Sequence, residues 1–118
     1  MPEFNDMDPA VTFAQQLEDS STGPVVLINK FDVPPDAVDQ FLEDWRRDAQ
    51  YMKRQPGYIS AQLHRGIAGS GVFVNVAVWE SLEAFRRAVA EFRPTMTPGV
   101  VASPHLFRRV AVPEVCLG

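Results

Sequence analysis

Eight residues, Val72-Phe73-Val74-Asn75-Val76-Ala77-Val78-Trp79, constrain this chain more than any other stretch. They read as a strand with apolar side chains on both faces: Val72, Val74, Val76 and Val78 on one, Phe73, Asn75, Ala77 and Trp79 on the other. A strand that is apolar on both faces must be covered on both faces. Asn75 then carries an amide into an apolar layer, where leaving it unpaired costs on the order of 1–3 kcal/mol. Trp79 follows on the same face, roughly 13 Å further along the strand. An amide and an indole on one covered face are what a small-molecule pocket needs.

The rest of the chain arranges itself around this strand. Residues 24–118 are expected to form one domain, with residues 1–23 as an N-terminal extension. In the extension, Asp8-Pro9 is expected to cap a short helix carrying Val11, Ala14 and Leu17, and residues 20–24 form a joint. Residues 25–33 are β-rich and predict the first strand of the domain. Pro34-Pro35-Asp36 ends it and opens a helix whose stripe is Val38, Phe41, Leu42, Trp45, Ala49 and Met52. Lys53 and Arg54 suit its C-terminal dipole, and Pro56-Gly57 stop it. A second strand over 58–65 and a glycine-rich turn over 66–71 lead into the strand 72–79 as a hairpin. No helix opens behind those glycines, so they do not form a phosphate loop. Ser81 caps a second helix with Leu82, Phe85, Val89 and Phe92 on one side, ended by Pro94. Residues 94–104 read as a long irregular connection, and 106–112 as the last strand.

The order strand-helix-strand-strand-helix-strand is the split βαβ pattern, an α+β ferredoxin-like βαββαβ fold with a four-stranded antiparallel sheet. Two helices can cover one face of that sheet. The valine row on the other face then calls for a second copy of the chain, a homodimer packed sheet against sheet.

Composition excludes several functions. The 118 residues suffice for one core, and no apolar run reaches the roughly 18–20 residues of a membrane span. The N-terminus is acidic where a signal peptide is basic, and with a single cysteine, Cys116, a cytoplasmic setting is expected. That cysteine, close to the C-terminus, reads as inert. One cysteine permits no intrachain disulfide and no multi-thiolate metal site. A net charge of −4 without a dense basic cluster argues against nucleic-acid binding. Arg46-Arg47, Arg86-Arg87 and Arg108-Arg109 read as solvated pairs.

The run from Pro56-Gly57-Tyr58 to His64, the hairpin, the strand 73–79 with Glu80-Ser81 behind it, and Phe85-Arg86 on the next helix resemble the antibiotic biosynthesis monooxygenase family. The resemblance covers roughly residues 24–112 and implies a dimeric α+β barrel of ferredoxin-like subunits. It also implies a monooxygenase or oxidase that needs no cofactor and no metal, acting with O2 on an electron-rich aromatic such as a polyketide-like phenol or anthrone. Asn75, Trp79 and His64 match catalytic positions. Asn75 would donate to an enolate oxygen, the Trp79 N–H to that oxygen or a peroxide, and His64 would accept a proton. Asn29, Phe31, Phe41, Trp45 and Phe85 would bind the substrate. Where anthrone oxygenases of the family carry a tyrosine on the second helix, this chain has Phe85.

A second branch of the superfamily degrades heme, and it shares an asparagine in the first strand, here Asn29, and the tryptophan, here Trp79. Its heme-ligating histidine has no counterpart in the stretch Val89-Ala90-Glu91-Phe92. Other readings stand beside these. Trp79 and Trp45 serve equally as core aromatics, and Asn75 as a satisfied structural amide. Asn29 either adds a pocket amide or pairs with a loop. His64, on the polar face of its strand, is solvated or interfacial if it is not catalytic, and His105 is expected to be exposed at a strand start. A non-catalytic dimeric barrel that binds an apolar ligand is the third functional reading.

Overall fold

A computed structural model describes residues 3–113. Five strands form one sheet: β1 (Glu3–Phe4), β2 (Val25–Asp32), β3 (Tyr58–Arg65), β4 (Val72–Trp79) and β5 (Val101–Phe107). Three helices accompany it: α1 (Phe13–Gln16), α2 (Val38–Met52) and α3 (Leu82–Ala90). The sheet order is β1-β5-β2-β4-β3. All neighbours are antiparallel except β1, which adds to β5 in parallel. Without β1 this is the four-stranded ferredoxin-like sheet expected from the element order. Cys116 lies outside the described residues.

Local chemistry explains the helices. A 3-10 turn at Pro35–Ala37 precedes α2, because the two prolines preset φ but supply no N–H for a regular first turn. The α2 stripe buries Val38 and Phe41 against Val33, Phe73 and Val100. Ser81 caps α3 by accepting the Ala84 N–H at 3.0 Å, and Leu82, Phe85 and Ala88 pack into a second cluster with Trp79, Ala77, Val25 and Leu106. In the 66–71 hairpin turn, Ala68 and Gly69 adopt φ of +62° and +74°, the pair of left-handed residues that a type I′ connection demands.

The extension differs from its expected form. Asp8 caps no helix; its Oδ1 closes a local turn by accepting the Ala10 N–H at 2.9 Å. The helix starts four residues later, where Thr12 and Gln15 build a reciprocal capping box. Gln16 then acts as a surrogate strand. Its amide donates to Leu106 O and accepts from Leu106 N, each at 2.9 Å, and so satisfies the outer edge of β5. Arg86 on α3 holds the following residues by donating to Leu17 O and Asp19 O at 2.6 and 3.0 Å.

The last strand also needs correction. It spans Val101–Phe107, five residues earlier than the 106–112 expected, and the irregular connection is correspondingly shorter. Pro104 explains the misreading. The backbone groups of Ala102 and Leu106 point to the outer edge of β5, toward Asn5 and Gln16. Pro104 shares their parity, so its missing N–H falls where the edge needs no ladder donor. His105 is accordingly half-buried in mid-strand rather than exposed at a strand start.

Gly57, between α2 and β3, has a φ of +90°, and its carbonyl accepts the Glu80 N–H at 2.8 Å. A methyl group there would overlap the Ala84 side chain on α3. Gly57→Ala is therefore expected to destabilise by about 2–4 kcal/mol, summing left-handed strain and overpacking. Urea unfolding measures it. Adding Ala84→Gly should recover only part of the loss, since the backbone strain stays; full recovery would show that overlap alone was at work.

Candidate active site

Alternation along the central strands decides what the site contains. On β4 the odd row faces the helices: Phe73, Ala77 and Trp79 are 2%, 4% and 1% exposed. On β2 the same face carries Leu27, Asn29 and Phe31, and on β5 Ala102, Pro104 and Leu106. Between this face and α2 lies a cavity of about 370 Å³. Its sheet wall includes Leu27, Asn29, Phe31, Asn75, Ala77, Trp79 and Pro104. Phe41, Asp44, Trp45, Asp48, Ala49 and Met52 of α2 form the opposite wall. Phe85 and Val89 of α3, Phe4 and Phe13 of the extension, and Thr95, Met96 and Thr97 of the loop after α3 complete the lining.

Aromatic clusters frame the cavity. Trp79 meets Tyr58 and Phe85 edge-on, with ring centroids 5.6 Å apart in both pairs, and Phe13 meets Phe85 at 6.2 Å. Phe41 packs between Phe31 and Phe73 at 4.9 and 5.1 Å. Asn75 lies between these clusters on β4, and its direct cross-strand partner on β2 is Asn29. The Oδ1 atoms of both amides are buried and have no hydrogen-bond partner among the described residues. Each such atom costs on the order of 1–3 kcal/mol, so the pair is an uncompensated polar element in an otherwise apolar wall. Because an amide can turn over, the pair can offer donors as well as acceptors.

A second polar element faces it from α2. Asp44, 3% exposed, is fully engaged: it accepts from Gln40 Nε2 at 2.8 Å and from Thr97 Oγ1 at 2.6 Å, with Arg47 Nη1 at 3.6 Å. One turn on, Asp48 accepts the Thr95 N–H, at 3.1 and 3.3 Å to its two oxygens, and a hydrogen bond from the Thr95 side chain. Burial raises the Asp48 pKa above the ordinary aspartate value; the Thr95 hydrogen bonds oppose this and the Asp44 charge adds to it. These two carboxylates also tie the loop over the cavity to α2.

The structure thus brings together Asn75, Trp79, Asn29, Phe31, Phe41, Trp45 and Phe85 of the residues singled out from sequence. It does not bring His64 to them. His64 pairs with Val74 in the register, on the valine face, where it is exposed and its Nδ1 lies 3.2 Å from Val74 O. His105 shares that other face; its Nε2 meets Gln16 Nε2 at 3.1 Å while its Nδ1 is buried without a partner. Asp44, Asp48, Tyr58 and the phenylalanines of the extension are cavity residues that the sequence reading did not assign. A signal for Asp48 existed: it sits at helical spacing from Phe41, Trp45 and Met52, a carboxylate on the flank of an apolar stripe. Among the described residues, no cluster of three or more histidine, cysteine, aspartate or glutamate side chains could hold a metal ion, and no helix is long and apolar enough to cross a membrane.

Fold and cavity together define a small α+β domain of the ferredoxin-like type with a cavity lined largely by aromatic and other apolar side chains. The model of the antibiotic biosynthesis monooxygenase family matches residues 24–91, more than half of the chain, and the protein belongs to that family. It is 36% identical over 67 residues to deoxynogalonate monooxygenase from Streptomyces nogalater, a match covering 57% of this chain and 56% of the relative. It is 35% identical over 63 residues to a mycobilin-producing heme oxygenase from Mycobacterium tuberculosis, covering 53% of this chain and 60% of that one. The chain thus spans rather more than half the length of these curated relatives. Among solved structures it resembles SnoaB, a cofactor-independent oxygenase from Streptomyces nogalater, with a TM-score of 0.63, 29% identity, and coverage of 79% of this chain and 100% of that one.

Proposed function

We propose that this protein is a cofactor-independent monooxygenase that oxidises an electron-rich aromatic, a polyketide-like phenol or anthrone, in the cavity between sheet and helices. The observation that carries this reading is the pair of unpartnered amides, Asn29 and Asn75, in the middle of an otherwise apolar, aromatic chamber. Such a chamber suits a flat ring system with one or two oxygens. Asn75 donates to the ring oxygen as it becomes an enolate, and Trp79 borders the position where O2 adds. Similarity to a cofactor-independent oxygenase supports the same chemistry.

Heme fits the chamber less well. Among the described residues the cavity walls present no histidine or cysteine as an axial ligand, and His64 and His105 belong to the opposite face. The test is direct. Purified protein with an anthrone in aerobic buffer should consume O2 one-for-one with substrate, without added flavin, metal or nicotinamide. A saturable hemin Soret shift, bleached by reductant and O2, together with inertness toward anthrones, would replace this reading with heme degradation.

The reading includes a sheet-to-sheet homodimer. Val72, Val74, Val76 and Val78 remain only half-buried in the single chain, with Val26 and Ile28 beside them on β2. Covering four valines contributes on the order of several kcal/mol per subunit. Light scattering at micromolar concentration should give twice the chain mass, and Val76→Asp should shift it to the monomer. A monomeric wild type would reject the dimer.

A further inference from the structure

We propose that Asp48 is the acid–base residue of the cavity, taking the acidic proton from the bound aromatic and returning one to the peroxide; this rests on the oxygenase reading above. Any such reaction needs a proton acceptor inside the chamber. Among the described residues, histidine, lysine and arginine are absent from the cavity walls, and the titratable groups there are Asp44, Asp48 and Tyr58. Asp44 is spent on Gln40, Thr97 and Arg47, and its engaged oxygens hold the loop. Tyr58 packs edge-on against Trp79. Asp48 is hydrogen-bonded by Thr95 alone among the described residues, through its N–H and its side chain, and keeps lone pairs for a ligand. It stands on the helix wall, across the cavity from the amide pair on the sheet wall. A ring bound between the walls meets the oxyanion donors on one side and the carboxylate on the other.

The step balances. Asp48 takes H⁺ from the ring CH2 while the bonding pair moves into the enolate held by Asn75. The enolate transfers one electron to O2, and the radical pair closes a C–O bond to a peroxide anion. Asp48 returns its proton to give the hydroperoxide, which loses water as the second C–H proton departs and the O–O bond breaks, leaving a ketone. One O2 is reduced, and the carbon is oxidised from CH2 to C=O.

Burial supports the role, because it raises the proton affinity of the carboxylate toward that of a useful base. The groups facing it are Asp44 and Arg47 on α2, the Thr95 N–H of the loop, and Tyr58 across the cavity.

The test separates the proton step from the oxygen step. In anaerobic D2O the wild type should accelerate exchange of the anthrone CH2 protons, followed by NMR. Asp48→Asn, which can still accept the Thr95 N–H, should stay folded by circular dichroism and slow exchange roughly 100–10,000-fold. The wild-type exchange rate should rise with pH through one titration and then level off. Asp48→Asn should lack that rise, and Asp48→Glu should restore part of it. Exchange with no O2 consumption would remove the oxygenase reading and leave the base in place. Full exchange in Asp48→Asn, a pH rise retained in that variant, or no exchange in the wild type would each overturn the assignment.

Discussion

Asn75→Ala should lower kcat for anthrone oxidation roughly 10–1,000-fold, the range for loss of one oxyanion donor. The variant should fold as well as the wild type or better. Its amide oxygen is buried without a partner, so truncation removes a desolvated group rather than a bond. Falling activity with unchanged or rising stability is the signature of a group held for the transition state rather than for the fold. Steady-state O2 uptake and urea unfolding on the same preparation measure both sides. Unchanged turnover would take Asn75 out of the mechanism; a stability loss of 1 kcal/mol or more would mark it as a structural amide. Asn29, its cross-strand neighbour, shares the same environment. Asn29→Ala therefore belongs in the same series, and the double variant would reveal whether the two amides act on one ligand oxygen.

Trp79→Ala should destabilise by about 3–5 kcal/mol, against the roughly 5–15 kcal/mol that holds a domain of this kind together. Trp79 is 1% exposed and joins three elements: it ends β4, meets Phe85 on α3 edge-on, and takes Tyr58 of β3 against its ring. Truncation leaves a hole between the sheet and α3 that the rigid β4 backbone cannot close. Trp79→Phe should retain most of the stability while removing the indole N–H. The two variants therefore separate packing from chemistry: one is read by thermal unfolding, the other by turnover at a temperature where both proteins are folded. A loss below 1 kcal/mol in Trp79→Ala would mean that the cavity already isolates Trp79 from the core.

How far these residues could be found from the sequence depends on the range of the interaction that defines them. Strand β4 was legible because alternation is a local property: Val72-Val74-Val76-Val78 and Phe73-Asn75-Ala77-Trp79 separate into two rows with no knowledge of neighbours. Helices α2 and α3 were legible from stripes of 3.6-residue period and from Ser81 at the start of the second, which ends at Ala90, short of the expected stop at Pro94. The element order then implied the topology. Strand β5 was misplaced because Pro104 reads as a breaker, and its tolerance depends on facing an outer edge that only the assembled sheet defines.

The site divides in the same way. That Asn75 and Trp79 share one covered face follows from the parity of one strand. That Asn29 stands directly opposite Asn75, that Phe4 and Phe13 reach the cavity, and that Asp48 lines the same cavity as the amides while His64 does not are matters of register and packing. Each depends on residues tens of positions apart meeting at one depth in the core. Local periodicity specifies which way a side chain points from its own element. What it points at is settled only when strands pair and helices dock, because the energy that selects the register is summed over the whole interface rather than carried by any one segment.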